Sequence, residues 1–161
     1  MELVPIGIIR TPFSQPEGTP IQTAMAKGAE GRVEIDPQYA PALRDLERFD
    51  RVWLLYWFDR APDYQPHVVP FLDEIERGLF ATRAPCRPNP LGISPVRLLR
   101  IEGHVLFVAD VDILDGTPLL DIKPYAPRFD CFEVGRSGWL DSAGSCDRAN
   151  GRFGPEKPEA P

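Results

Sequence analysis

Cysteine, histidine and long apolar runs are scarce in this chain, and each scarcity removes a class of function. Three cysteines, Cys86, Cys131 and Cys146, are an odd number without metal-ligand spacing. Neither a disulfide framework nor a structural zinc is expected, and free thiols in a reducing compartment are the natural reading. The two histidines, His67 and His104, stand in unrelated contexts and give little basis for histidine chemistry. The longest apolar run, Val52 to Phe58, is far shorter than a bilayer needs. The N-terminal Met-Glu-Leu-Val-Pro lacks the basic start and apolar stretch of a secretory signal, so a cytoplasmic location away from membranes is expected. No Gly-x-Ser-x-Gly elbow, phosphate-binding loop or Gly-x-Gly-x-x-Gly follows a strand, which argues against a Rossmann-type cofactor fold.

Proline and arginine are what the chain has in abundance. Nineteen prolines interrupt nearly every segment of the 161 residues, so long helices are excluded almost everywhere. Fifteen of the eighteen basic residues are arginines, which suits bidentate contacts to carboxylate or phosphate better than diffuse attraction. The net charge is −6, the wrong sign for gripping nucleic acid by charge alone. That charge is unevenly spread: residues 83–128 carry +1 and the remainder −7.

The pattern predicts a mainly all-β domain over residues 1–134 and an irregular, mobile tail over 135–161. Strands are expected at 3–10, 32–36, 51–58, 93–101, 104–114 and 118–123, with short helical pieces at 41–48 and 71–77. Residues 14–31 read as a long loop, a feature often tied to function. The run 51–58 does not alternate, which suggests a strand buried on both faces or shared with a subunit interface. In 104–114, Val105, Phe107, Ala109, Val111 and Ile113 are expected on the core face, leaving Asp110 and Asp112 among aliphatics on the other. The architecture expected is a small antiparallel barrel of about seven strands with one or two short helices.

Four segments could carry chemistry. Between Gly78 and Gly92, Pro85 and Pro88 forbid a helix that would stack Arg83 on Arg87. A stiff loop of this kind is either a clamp for a polar ligand, with Arg87 and Asn89 as substrate contacts, or a structural crossover. The run from Asp110 to Tyr125 gathers Asp121, Lys123 and Tyr125, a cluster able to orient an acceptor amine or move its proton, or else a surface ion pair. Asp110, Asp112, Asp115 and Asp121 lack the spacing of a calcium loop, and no metal is expected. Pro20-Ile21-Gln22 and Phe58-Asp59-Arg60 complete the set and carry no specific signal by themselves.

Taken together, these segments resemble the TsaA-like, or TrmO, family over roughly residues 3–130. The carrying stretches are Ile6 to Phe13, Pro20 to Gln22, Leu46 to Leu55, Phe80 to Gly92 and Leu114 to Tyr125. The resemblance implies a homodimeric β-barrel methyltransferase that binds S-adenosyl-L-methionine near the dimer interface. It implies N6-methylation of threonylcarbamoyl-adenosine beside the anticodon of tRNA. The cofactor contacts it implies are Pro20, Ile21, Gln22, Asp59, Arg60, Arg83, Ile93, Asp112, Ile113, Leu114 and Asp115. Asp59 stands where family members commonly carry histidine. The alternatives left by the acidity are a methyltransferase for a small metabolite and a non-catalytic S-adenosyl-L-methionine-binding module.

Overall fold

In the computed structural model, which describes residues 2–150 and 152–154, six strands close into an antiparallel barrel. They are β1 (Gly7–Arg10), β2 (Glu30–Ile35), β3 (Arg51–Trp57), β6 (Leu91–Glu102), β7 (Val105–Ala109) and β8 (Thr117–Pro124). Around the barrel the order is β1-β2-β7-β6-β3-β8, and β8 returns to β1. Two further strands, β4 (His67–Val68) and β5 (Arg77–Gly78), pair only with each other in the long connection between β3 and β6. The closed barrel therefore has six strands, and the mainly β class stands.

Alternation fills the barrel interior. Ile9, Val33, Val52, Leu54, Val96, Leu106, Val108 and Leu119 point inward and are fully buried. Burying one such side chain contributes about 1.5–3 kcal/mol. β3 alternates after all: Val52, Leu54 and Tyr56 face the core, while Trp53, Leu55 and Trp57 lie on the outer wall. The sequence hides this because both faces of β3 are apolar.

Three expectations are corrected. In β7 it is Leu106 and Val108 that face the core, with Val105 and Phe107 outside. The reversal comes from Asp110, whose left-handed φ of 65° ends the strand and changes the phase before Val111 and Ile113 turn inward. The helix expected at 41–48 is replaced by 3-10 turns at Pro37–Leu43 and Leu46–Arg48, separated by Asp45 at φ 69°. Residues 71–77 form no helix; Asp73 accepts backbone N–H bonds from Glu74 and Ile75, and its ion pair with Arg77 lowers its pKa.

Because neighbouring strands are antiparallel, the connections sort by end. Residues 11–29, 58–90 and 110–116 all emerge at one end, called here the loop end. The far end carries the 36–50 connection and the β6–β7 hairpin at Gly103-His104. Tyr39, Leu43 and Leu46 from the 36–50 connection pack into the core and plug that end.

After α1 (Pro127–Asp130) the chain has little regular structure, and its described part returns to the loop end. Residues 147–149 run beside 18–21 through Gly18 N–H to Ala149 O, Ala149 N–H to Thr19 O and Ile21 N–H to Asp147 O. Trp139 donates its ring N–H to Ala81 O, and Gly144 donates to Leu72 O. The last residues of the expected tail, 155–161, lie outside the described residues. Among the described residues no helix is long and apolar enough to cross a membrane.

Candidate functional site at the loop end of the barrel

Asp112 is the centre of the loop-end constellation. It sits in the short connection between β7 and β8, and its carboxylate Oδ1 accepts from Ser94 Oγ at 2.7 Å. Ser94 is a fully buried inward residue of β6 and lies 3.0 Å from the Tyr56 hydroxyl of β3. Asp112 as a whole is partly exposed, yet its carboxyl group is enclosed. Loss of water raises its pKa to about 6; the Ser94 hydrogen bond, backbone N–H groups including that of Thr23, and the Arg83 charge oppose the rise. Burial likewise pushes the Tyr56 hydroxyl well above the usual tyrosine range.

Two loops close over this carboxylate. Pro20, Ile21 and Gln22 lead into a 3-10 turn at Thr23–Met25. Arg83, exposed on the 58–90 connection, donates from Nη1 to Gln22 Oε1 at 2.6 Å and so ties the two loops together. Of the residues expected to hold the cofactor, Gln22 and Arg83 are hydrogen-bonded to each other, and the Thr23 N–H that follows Gln22 and the Arg83 charge both act on Asp112.

Several other expected residues have structural employment at the same end. Asp115 Oδ1 accepts from Thr11 N–H at 3.1 Å, and Gly116, at φ 80°, donates to Ile9 O. Arg60 donates from Nη2 to Asp115 O at 2.8 Å and Thr117 Oγ1 at 3.1 Å, which latches the end of β3 to the start of β8. Ile113 is buried, Leu114 is half-buried, and Asp59 is exposed beside Arg60. Asp110 accounts for the second carboxylate in 104–114: it accepts from Gly28 N–H at 3.1 Å and pairs with Arg51 at 2.8 Å. Arg87 turns back on its own loop, donating to Thr82 O at 3.0 Å and lying 5.3 Å from the Phe80 ring centre. Asn89 is exposed.

The cluster expected to be catalytic lies elsewhere. A bulge between Leu55 and Tyr56 in the β3–β8 register leaves Leu120 unpaired. Leu119 and Ile122 therefore both lie opposite inward residues, while Asp121 and Lys123 lie opposite the outward Leu55 and Trp53. Asp121 and Lys123 pair at 2.8 Å on the outer wall, and the Tyr125 ring is 5.5 Å from that of Trp53. The barrel wall separates them from Asp112. Ile93, 52% exposed, sits on the same outer face in register with Leu55, and Leu91 with Trp57. Trp53, Leu55, Trp57, Leu91 and Ile93 thus make an apolar strip bordered by Asp121 and Lys123.

Sequence reasoning missed Tyr56, Ser94 and the 147–149 segment. The first two were legible only as polar positions on the inward phase of β3 and β6, a phase the apolar outer residues conceal. The third carries no periodic signal.

Comparison with known proteins matches the chain to a family and to solved structures. The model of the tRNA-methyltransferase O N-terminal domain family matches residues 8–131. A probable S-adenosyl-L-methionine-binding protein of Pyrococcus abyssi is 53% identical, over 85% of this chain and 74% of its own length. The tRNA (adenine(37)-N6)-methyltransferase of Escherichia coli is 34% identical, over 89% of this chain and 66% of its own. The crystal structure of TrmO from Pseudomonas aeruginosa superposes with a TM-score of 0.72 at 39% identity, over 86% of this chain and 62% of that one. The chain thus spans under two thirds of the last two proteins.

Proposed function

The chain belongs to the tRNA-methyltransferase O N-terminal domain family, and from that premise we propose that it binds S-adenosyl-L-methionine at the loop end and transfers its methyl group to the N6 nitrogen of threonylcarbamoyl-adenosine beside the anticodon of tRNA. The observation that carries this reading is the enclosed Asp112 carboxylate, held by Ser94 and within the electrostatic reach of Arg83, which is itself tied to Gln22. A carboxylate and a guanidinium that feel each other's charge without pairing fit a ligand that carries cationic groups and a carboxylate of its own.

S-adenosyl-L-methionine, when bound, supplies a methyl group on a sulfonium that an acceptor nitrogen displaces in line. Asp112 offers its negative charge to a cationic group in a setting with little water, where the attraction is stronger than at the surface. Arg83 offers its guanidinium to a carboxylate. The Arg83–Gln22 bond fixes the two loops, so little freedom is left to lose on binding. Holding both reactants in line is worth about 7–11 kcal/mol in favourable cases.

The chain acts as a homodimer through the strip of Trp53, Leu55, Trp57, Leu91 and Ile93, in a cytoplasmic setting. A closed barrel has no free strand edge, and this strip is a run of apolar outer residues in register across β3 and β6. Asp121, Lys123 and Tyr125 then stand at the seam between copies and serve the loop end of the partner copy, where Asp121 accepts a hydrogen bond from the acceptor amine and Lys123 holds Asp121 in place. The net charge of −6 favours a second reading, in which the acceptor is a small metabolite.

The test is label transfer from methyl-labelled S-adenosyl-L-methionine into tRNA carrying the threonylcarbamoyl group, with unmodified tRNA as control. Label in the modified tRNA alone is expected. Cofactor binding without label in either RNA would overturn the tRNA assignment and favour the metabolite.

A further inference from the structure

The interior of the barrel is apolar except at the loop end, where Tyr56, Ser94 and, at the start of β8, Thr117 interrupt it. Tyr56 and Ser94 are both buried, and no buried side-chain polar atom among the described residues lacks a partner. Their hydrogen bonds have a direction. The single hydroxyl proton of Ser94 goes to the Asp112 carboxylate, which accepts only, so the Tyr56 hydroxyl must donate to Ser94 Oγ. The result is an arm from Tyr56 through Ser94 to Asp112, running from the core to the site.

The tyrosine end of the arm is fixed by shape. Its ring lies against Gly92, where any Cβ would fall inside the ring. Phe58 also meets it edge-on, with ring centres 5.2 Å apart at 80°. A tyrosine so seated has one place for its hydroxyl, and Ser94 has one rotamer that serves both neighbours.

Resting on the cofactor reading above, we infer that Tyr56 and Ser94 are positioning residues: they hold the Asp112 carboxylate in one orientation toward the bound S-adenosyl-L-methionine. Neither side chain touches the cofactor; they act through Asp112. Without the arm, the enclosed carboxylate would lose its donor from the core side and turn toward Arg83 or take up a proton. The charged and titratable groups around it are Arg83 from the 58–90 connection and Tyr56 from β3; Thr23 faces it with a backbone N–H. Removing the Ser94 donor raises the Asp112 pKa further from its present value of about 6.

The experiment is calorimetric binding of S-adenosyl-L-methionine from pH 5 to 8 by the native chain, Ser94→Ala, Ser94→Thr and Tyr56→Phe. Alongside it, the carboxyl carbon of Asp112 is titrated by NMR in the cofactor-free proteins. In the native chain affinity falls as pH drops through about 6, when Asp112 takes up its proton. Ser94→Ala should move that break and the carboxyl titration up by about one pH unit, the worth of a hydrogen bond to a charged group. Tyr56→Phe should move both in the same direction by less, and Ser94→Thr should restore the native profile. Tight binding with an unmoved break and an unmoved titration in Ser94→Ala would overturn the inference while leaving the cofactor reading intact. No binding by the native chain at any pH would overturn both.

Discussion

The two ends of this barrel share strands and core but differ in what their connections do. At the far end, the 36–50 connection lays Tyr39, Leu43 and Leu46 on the core and the β6–β7 hairpin turns tightly at Gly103, φ 61°. At the loop end, three connections and the returning 147–149 segment surround an enclosed carboxylate. The far end is closed by apolar packing. The loop end is closed by hydrogen bonds, with a buried carboxyl group that works against folding at neutral pH. A barrel can carry such a group because the other end contributes only stability.

The sharpest way to break this contrast is Asp112→Asn. The folded pKa of Asp112 is raised to about 6. Its contribution to stability is present below the unfolded value and lost as pH rises through 6, so at pH 7 ionised Asp112 costs on the order of 3 kcal/mol. Asparagine removes that cost and still accepts from Ser94. Thermal unfolding should show a Tm several degrees higher than native at pH 7 and no difference at pH 4. Methyl transfer should fall by about 100-fold or more, the scale seen when a preorganised polar group is removed from a site. Higher stability with full activity would place the cofactor's cationic group elsewhere.

Deleting residues 135–161 probes the same end by a different route. Trp139, Gly144, Asp147 and Ala149 hold the 11–29 and 58–90 connections from outside. The barrel core does not use them, so the deletion should leave the unfolding transition cooperative. It should weaken S-adenosyl-L-methionine binding by about tenfold, since loops that must be ordered on binding cost affinity. Unchanged affinity would show that Arg83 and Gln22 suffice to hold the loops.

How far the sequence reveals this arrangement follows the same division. The barrel is legible because strands and their breaks are local: the β-rich runs at 51–58, 93–101, 104–114 and 118–123 are each set off within a few residues. The 20–22, 83 and 112 positions are legible through resemblance to a family, and in the structure Gln22 bonds to Arg83 while Arg83 and Thr23 act on Asp112. What is not legible depends on phase. Asp110 in a left-handed conformation reverses the faces of 104–114, and the Leu120 bulge changes which residues of β8 face inward. Neither can be read from periodicity, because aliphatic residues occupy both faces. Tyr56 and Ser94 are hidden by the same ambiguity.

The outer strip offers a smaller and cleaner effect. Ile93→Asp places a charge on the apolar wall without touching the core, because Gly92 and Ser94 are the inward residues of that stretch. Light scattering should report a dimer for the native chain and a monomer for Ile93→Asp, and methyl transfer should drop about tenfold while cofactor binding changes little. A dimer that survives this substitution would locate the interface on another face.

The smallest effect is expected at the far end, and it tests whether the two ends are as separate as the packing implies. His104 is exposed in the β6–β7 hairpin, and its contribution to the fold is its backbone carbonyl, which accepts from Ile35 N–H at 3.0 Å. That bond survives His104→Ala. Unfolding should move by less than about 0.5 kcal/mol, as for surface substitutions that break no cap, core contact or network. S-adenosyl-L-methionine affinity should stay within about twofold of native, because no hydrogen-bonded chain runs from this hairpin to Asp112 among the described residues. A marked loss of affinity here would mean that strand packing transmits between the ends, and the barrel would then be part of the site's mechanism as well as its frame.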